Sequence, residues 1–461
     1  MLRKIVLSII IFLLLVQSHS LSFQDNLLRK VIEEKEGENI MISPLSIYQL
    51  LGLLSNGASG NTRKEILQVL FPNKEINDNI LNDLNSKVKQ MILNLESENI
   101  IESSPYSNCF GSEEECKIIF TDVNGIFTKK GIELTKQFTQ ICQNYNTSFF
   151  ELINAEQINN FCSEKTNGKI NNIIDEIDPQ TALILINAIY FKGTWLEKFD
   201  ENETKNRTFL NYDNTRVLAE TMYFKYDGQK FYEDEKVQMI SLPYLSNKLN
   251  FEMIIILPNL KKYSSPLEYL NKEKIELSEI YSKLEPKRNI HLYFPKFNYY
   301  FNVELNKILE NMGMKSAFSE QNAEFQNLSQ NFDTFVKLIS QKTFINVNEN
   351  GTEAAAITME MSYLTSYEPK EYYMYINHSF IYMIVSNKIK DGEDKFLMPF
   401  IGIVNKLEGE KDNGNYEWDN NSSDADDKNK DDPPKFINSN YIGNNKTILI
   451  IFTYLIFFIY L

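Results

Sequence analysis

Once His19 is set aside with the N-terminal segment that contains it, His291 and His378 are the imidazoles left to this chain for proton transfer or metal binding. Two histidines with no Gly-x-Ser-x-Gly elbow argue against a triad hydrolase and against a zinc hydrolase. The thiols are Cys109, Cys116, Cys142 and Cys162. Cys109 and Cys116 bracket Phe-Gly-Ser-Glu-Glu-Glu in a polar stretch, and in an oxidising compartment this predicts a local disulfide closing a surface loop. Cys142 and Cys162 each sit in an apolar helical pattern, where a buried free thiol and a bond both stay open. The 17 glycines are scattered and form no nucleotide loop, and neither a cofactor nor a metal is expected.

One segment stands out for its small residues. Phe344 to Glu349 alternates like a strand, and Asn350-Gly-Thr-Glu-Ala-Ala-Ala-Ile-Thr358 follows, leading into Met359 to Pro369. Taken alone, the alanines read as a helix turn in a long loop.

Around it, the elements separate by pattern. Ser43-Pro44-Leu45-Ser46 precedes Ile47, Leu50, Leu51 and Leu54 at helical spacing, and a second helix begins at Asn61. Ala182 to Phe191 is almost continuously apolar, as expected of a strand buried on both faces. Phe251 to Leu257 and Ile290 to Phe297 read as further strands, as do Tyr375 to Ser386 and Phe396 to Val404. Helices crowd the first third and strands the rest, which predicts an α+β class with large antiparallel sheets.

The 461 residues, 43% of them hydrophobic, are enough for a large core. A net charge of -15 argues against nucleic-acid binding, which needs clustered Lys and Arg. The apolar run from Ile5 to Val16 behind Arg3 and Lys4 predicts a secretory signal over residues 1–20. Residues 408–446 read as an acidic polar stalk, and residues 447–461 as a hydrophobic tail. That tail is shorter than the about 20 residues of a membrane span and predicts a lipid-anchor signal. The anchor would attach at Asn438 or Ser439, with a short transmembrane helix as the competing reading. Asn146, Asn202, Asn206, Asn327 and Asn377 head glycosylation triplets, suited to an extracellular protein displayed at the cell surface.

These features gain a common explanation from Asn39-Ile-Met-Ile-Ser-Pro-Leu-Ser-Ile47, Gly57-Ala-Ser-Gly-Asn-Thr62, Lys165-Thr-Asn-Gly-Lys-Ile170, Asn187-Ala-Ile-Tyr-Phe-Lys-Gly-Thr-Trp195, Val347-Asn-Glu-Asn-Gly-Thr-Glu-Ala-Ala-Ala356 and Phe400-Ile-Gly402. In this order they resemble the serpin family, over about residues 21–407. The resemblance implies one domain of three β-sheets with eight or nine helices and an exposed reactive loop from about Gly351 to Pro369. It also implies a suicide inhibitor, not an enzyme: a monomer whose cut loop inserts into the central sheet and traps a serine protease as an acyl-enzyme.

By the same resemblance, Glu349, Gly351, Thr352, Ala354, Ala355, Ala356 and Thr358 form the loop hinge. Ser43, Ser46, Asn187 and Gln341 form the shutter beneath the sheet, and Trp195 marks the breach at its top. The family's spacing from Glu349 places the reactive bond at Thr365-Ser366, which suits elastase-like proteases first and chymotrypsin-like ones second. Small residues at Thr352, Ala354, Ala356 and Thr358 fall on one face of an inserted strand, as close packing requires. Gln341 stands where many members carry histidine, Ser379 replaces a frequent proline, and Glu360 continues the inward series. These departures keep a noninhibitory carrier or binding serpin as the alternative.

Overall fold

Helix starts are written locally. Ser22, Ser43, Thr135, Asn154 and Ser265 each accept, through a side-chain oxygen, the backbone N–H three residues on, which satisfies a donor that the helix itself cannot. The computed structural model describes residues 21–77, 79–98, 118–178, 181–246, 250–331, 333–352, 370–386 and 397–412. Nine α-helices lie among the described residues: α1 (Phe23–Glu34), α2 (Pro44–Gly57), α3 (Gly60–Leu70), α4 (Ile80–Glu98), α5 (Lys136–Asn144), α6 (Ala155–Lys165), α7 (Pro266–Lys272), α8 (Leu277–Lys283) and α9 (Asn306–Met312). Three of them lie beyond residue 265, so helices are not confined to the first third as the pattern suggested.

The strands form three sheets. A seven-stranded sheet runs β1 (Ile40–Ile42), β17 (Leu397–Val404), β16 (Phe380–Ser386), β9 (Phe251–Pro258), β8 (Val237–Pro243), β7 (Gln229–Glu233) and β10 (Glu285–Lys287). A five-stranded sheet runs β15 (Tyr372–Tyr375), β11 (Ile290–Pro295), β6 (Arg216–Tyr226) and β18 (Glu410–Lys411), with β5 (Lys205–Leu210) also on β6. The central sheet runs β12 (Phe297–Glu304), β13 (Leu338–Asn348), β14 (Gly351–Thr352), β4 (Leu183–Thr194), β2 (Ile119–Thr128) and β3 (Thr147–Glu151). This is the α+β, three-sheet architecture expected.

The continuous apolar run of β4 serves two cores. Leu183, Leu185, Ile189 and Phe191 face the main core, while Ile184, Ile186, Ala188 and Tyr190 pack in a second one with Ile158, Phe161 and Cys162 of α6. Cys142 on α5 and Cys162 are both buried free thiols, and burial pushes each up to about 12, which makes them poor nucleophiles. Cys109 and Cys116 lie outside the described residues.

Two boundaries differ from expectation. The stretch read as one strand from Ile290 to Phe297 divides at Lys296, because β11 belongs to the five-stranded sheet and β12 to the central one. The folded unit also extends past residue 407. Glu410 and Lys411 pair with β6, and the buried Asp412 carboxylate accepts from Thr208 Oγ1 at 2.7 Å and pairs with Arg216 at 3.0 Å. A carboxylate held this way anchors residues assigned to the stalk. Among the described residues no helix is long and apolar enough to cross a membrane. They also hold no group of three or more His, Cys, Asp or Glu able to bind a metal.

Candidate functional site

The chain reverses after β13 at Glu349 and Asn350, and the next two residues enter the central sheet as β14. Val347 and Asn348 pair with Thr352 and Gly351 on one side, and Gly193 and Thr194 pair with the same two residues on the other. Gly351 sits at φ +144°, and a Cβ there would collide with the Gly193 carbonyl oxygen, so this turn needs glycine. Thr352 is 0% exposed, and its hydroxyl lies 2.9 Å from the Tyr244 hydroxyl.

The turn is fastened from above and below. Trp195 stacks on Tyr244 at 4.5 Å and donates from Nε1 to the Asn348 carbonyl at 3.0 Å. The Trp195 backbone N–H donates to Asn350 O and that of Phe199 to Glu349 O, each at 3.0 Å. Glu349 is 6% exposed; its side chain accepts from Thr204 Oγ1 at 2.7 Å and pairs with Lys296 at 3.3 Å. Sequence reasoning named Glu349, Gly351 and Thr352 as hinge residues and Trp195 separately as the breach; the structure brings the four together, with Tyr244, Thr204 and Lys296, which no local pattern marks.

Below the turn β13 and β4 lie directly side by side, running parallel from the Leu338–Ile184 pair to the Phe344–Tyr190 pair. Gln341 faces Asn187 in this register. Its Nε2 donates to Asn187 Oδ1 at 2.6 Å, and its Oε1 accepts from the Ser43 N–H at 2.8 Å. Asn187 Nδ2 in turn donates to Asp122 Oδ1 and Asn124 Oδ1, both at 2.9 Å. Ser43 Oγ donates to Ser46 Oγ at 3.0 Å, and the Ser46 hydroxyl also bonds Asp122. Ser43, Ser46, Asn187 and Gln341 therefore form one network, and it contains a carboxylate that the sequence did not announce. Desolvation pushes the Asp122 carboxyl up to about 6, against the lowering pull of the hydrogen bonds from Ser46, Asn187 and Asn124.

Ala354, Ala355, Ala356, Thr358, Thr365, Ser366, Asn438 and Ser439 lie outside the described residues, as do residues 1–20 and 413–461. Of the glycosylation candidates, Asn146, Asn202, Asn206 and Asn327 are exposed. Asn377 is not: it is 8% exposed, with its Oδ1 2.8 Å from His378 Nδ1, so this candidate is buried rather than presented to solvent. His378 is itself enclosed, with Nε2 on the Pro258 carbonyl at 2.8 Å, and desolvation pulls it down to about 4.

Residues 18–391 match the family described as Serpin (serine protease inhibitor). The chain is a serpin. Among its relatives, human Serpin B8 is 29% identical over 382 residues, covering 80% of this chain and 94% of the relative. The leukocyte elastase inhibitor of Xenopus tropicalis is 28% identical over 382 residues, with the same coverage of 80% and 94%. Among solved structures, a native-state thermophilic serpin, tengpin, matches with a TM-score of 0.70 at 25% identity, covering 84% of this serpin and 92% of that chain. Human thyroxine-binding globulin shares the fold with a TM-score of 0.69 at 24% identity, over 84% and 96%.

Proposed function

We propose that this serpin is a suicide inhibitor of serine proteases, cleaved at Thr365-Ser366 and displayed at the cell surface. The observation that carries the reading is the hinge already seated between β13 and β4, antiparallel to both and pointing down the seam where those strands meet. Continued two residues at a time, that register sets Ala354 between Ile345 and Phe191, Ala356 between Thr343 and Ile189, and Thr358 between Gln341 and Asn187. These flanking side chains face a closely packed core, where only small insertions avoid overpacking.

The protease serine Oγ attacks the Thr365 carbonyl carbon, the amide bond breaks, and the Ser366 nitrogen leaves with the proton delivered by the protease histidine. An ester to Thr365 remains. Insertion then carries that ester, with the protease, away from the loop's original position. A protease whose oxyanion hole and base are distorted in this way cannot complete deacylation. A β-branched residue at the cut suits a shallow apolar pocket, as in elastase-like enzymes; cleavage beside Tyr363, Leu364 or Tyr367 would suit chymotrypsin-like ones. The similarity to a leukocyte elastase inhibitor supports the first choice.

The same register sets Glu360 between Ile339 and Leu185, a costly place for an unpartnered carboxylate. A carrier or binding serpin that does not insert its loop is the alternative this favours. Incubation with an elastase and a chymotrypsin, followed by denaturing electrophoresis and mass spectrometry of the loop fragment, separates the two. A covalent complex ending at Thr365 supports inhibition; cleavage without complex supports the alternative. The signal over residues 1–20 and a glycolipid at Asn438 or Ser439 would place the inhibitor outside the cell on its membrane.

A further inference from the structure

The matched family region ends at residue 391 and the resemblance in sequence at about residue 407, yet the next five residues are built into the fold. Gly409 lies so close to β6 that a Cβ there would collide with the Leu218 carbonyl oxygen. Glu410 and Lys411 pair with Leu218 and Val217, and the Asp412 N–H donates to Arg216 O at 3.0 Å. The Asp412 carboxylate is 0% exposed and grips both strands of one hairpin through a single oxygen. That Oδ2 accepts from Thr208 Oγ1 of β5 at 2.7 Å and pairs with Arg216 of β6 at 3.0 Å.

The same two strands reach the turn after β13 at their other end. Thr204, immediately before β5, donates to Glu349 Oε1 at 2.7 Å. Glu220 of β6 accepts from the Lys296 N–H at 2.8 Å and pairs with Lys296 Nζ at 3.5 Å, and that Nζ reaches the same Glu349 oxygen at 3.3 Å. One route therefore runs from Thr208 back to Thr204, the other from Arg216 on to Glu220. Each spans about 13 Å at the rise of a strand. Between these ends β5 and β6 are paired in unbroken register, from Lys205–Thr221 to Leu210–Arg216, so the two routes are cross-linked along their length.

We propose that residues 408–412 form a strap that restrains the turn at Glu349 and Gly351, acting through the β5–β6 hairpin. With the strap seated, the hairpin is held at both ends and Glu349 keeps Thr204 and Lys296 in place. With the strap displaced, Thr208 loses the carboxylate, Arg216 loses its ion pair, and Val217 and Leu218 lose their pairing with β18. Polar groups left without these partners favour a relaxed hairpin, and the relaxation draws Thr204 and Glu220 away from their positions beside the turn. Hydrogen-bonded strands and ion pairs are a physical route for such coupling, and the warrant for it is a measured linkage between the two ends. Processing that removes residues 408–412 would loosen the turn, whereas processing further along the stalk would leave it restrained. The strap acts on the turn itself, so it does not depend on the protein being an inhibitor.

Hydrogen exchange of the full chain, followed by mass spectrometry, reads both ends of the hairpin. Asp412→Ala should raise exchange in residues 193–199 and 347–352 about threefold or more, raise it in residues 211–215 as well, and leave α4 unchanged. The first of these segments carries the Trp195 and Phe199 N–H groups that donate to the turn carbonyls. In a Glu349→Ala background, where Thr204 and Lys296 have no carboxylate to hold, Asp412→Ala should add little further at the turn. That non-additivity separates coupling from a general loss of stability. Thr208→Val keeps the side-chain volume and removes one hydrogen bond to the strap. It should act in the same direction to a smaller extent, and it decides the matter if Asp412→Ala folds poorly. Unchanged exchange at the turn, an equal rise throughout the chain including α4, or an undiminished effect of Asp412→Ala in the Glu349→Ala background would each overturn the strap.

Discussion

The side-chain amide of Gln341 donates to Asn187 Oδ1 at 2.6 Å, directly across the seam between β13 and β4. If the loop inserts in the register begun at Thr352, Thr358 arrives between these two residues, so insertion has to part them. The bond therefore acts as a latch on the sheet, and the 2.8 Å bond from the Ser43 N–H to Gln341 Oε1 ties the same latch to the start of α2.

Gln341→Ala leaves the Ser43 N–H and Asn187 Oδ1 enclosed without their partner, a cost of about 1–3 kcal/mol that an opened sheet relieves. Active protein should then decay faster to an inactive, loop-inserted monomer. Residual inhibition followed over days at physiological temperature reports this, and a half-life equal to that of the parent protein would count against the latch. Gln341→His can still accept from Ser43 and donate to Asn187 while neutral, but once protonated it loses the acceptor. Its decay should accelerate only once pH falls below the ordinary histidine range, because burial at this position disfavours the charged ring.

Thr352 reports on the first step of insertion. It is fully buried against Tyr244, and an arginine in its place would bring a long cation into that contact. Thr352→Arg should keep the loop cleavable while shifting the product from covalent complex to cut, protease-free serpin. Band intensities on a denaturing gel measure the partition. An undiminished complex in the variant would sink the insertion mechanism.

The turn at Glu349 to Gly351 and the long central strand were legible because their signals are local. A glycine turn can be read within a few positions, and a strand buried on both faces betrays itself as continuous apolar sequence. Asp122 was not legible. It alternates on β2 like any polar residue, and its hydrogen-bond partners come from Asn187 on another strand and Ser46 on a helix far off in sequence. Asp412 was hidden for the opposite reason: it sits at the edge of an acidic stretch whose composition reads as solvated, while Thr208 and Arg216 on distant strands bury that one carboxylate. The break at Lys296 escaped because periodicity records a strand but not the sheet to which it belongs.

Asp122 also predicts how stability depends on pH. Its folded pKa of about 6 lies above the ordinary 3.8, so the fold favours the protonated form. The stability it contributes is complete below about pH 4 and is lost as pH rises through about 6. The rise from 3.8 to about 6 corresponds to roughly 3 kcal/mol. Asp122→Asn should therefore be more stable than the parent above about pH 6, with the difference shrinking as the pH is lowered toward 4. Denaturant unfolding of both proteins at several pH values tests this, and a difference that does not vary with pH would assign the effect elsewhere.

The position of the reactive bond sets a last test, because the chain after Ser366 contains β15, β16 and β17. A protease esterified to Thr365 belongs to the other fragment. Every residue of β16 from Phe380 to Ser386 is buried, and the strand is hydrogen-bonded to β9 on one side and β17 on the other. Withdrawing it would expose that apolar surface and leave two ladders of backbone groups unpaired, so the two fragments should remain associated after the bond is cut. On intact cells expressing the protein, if it carries the proposed lipid anchor, the complex is expected to stay at the surface in native buffer and to release its protease-bearing fragment in denaturant. Phosphatidylinositol-specific phospholipase C should release the uncut protein. Release of the protease-bearing fragment without denaturant would show that β16 does not hold the halves together. Retention after the phospholipase, with residues 447–461 still detected by mass spectrometry, would replace the lipid anchor with a membrane-spanning tail.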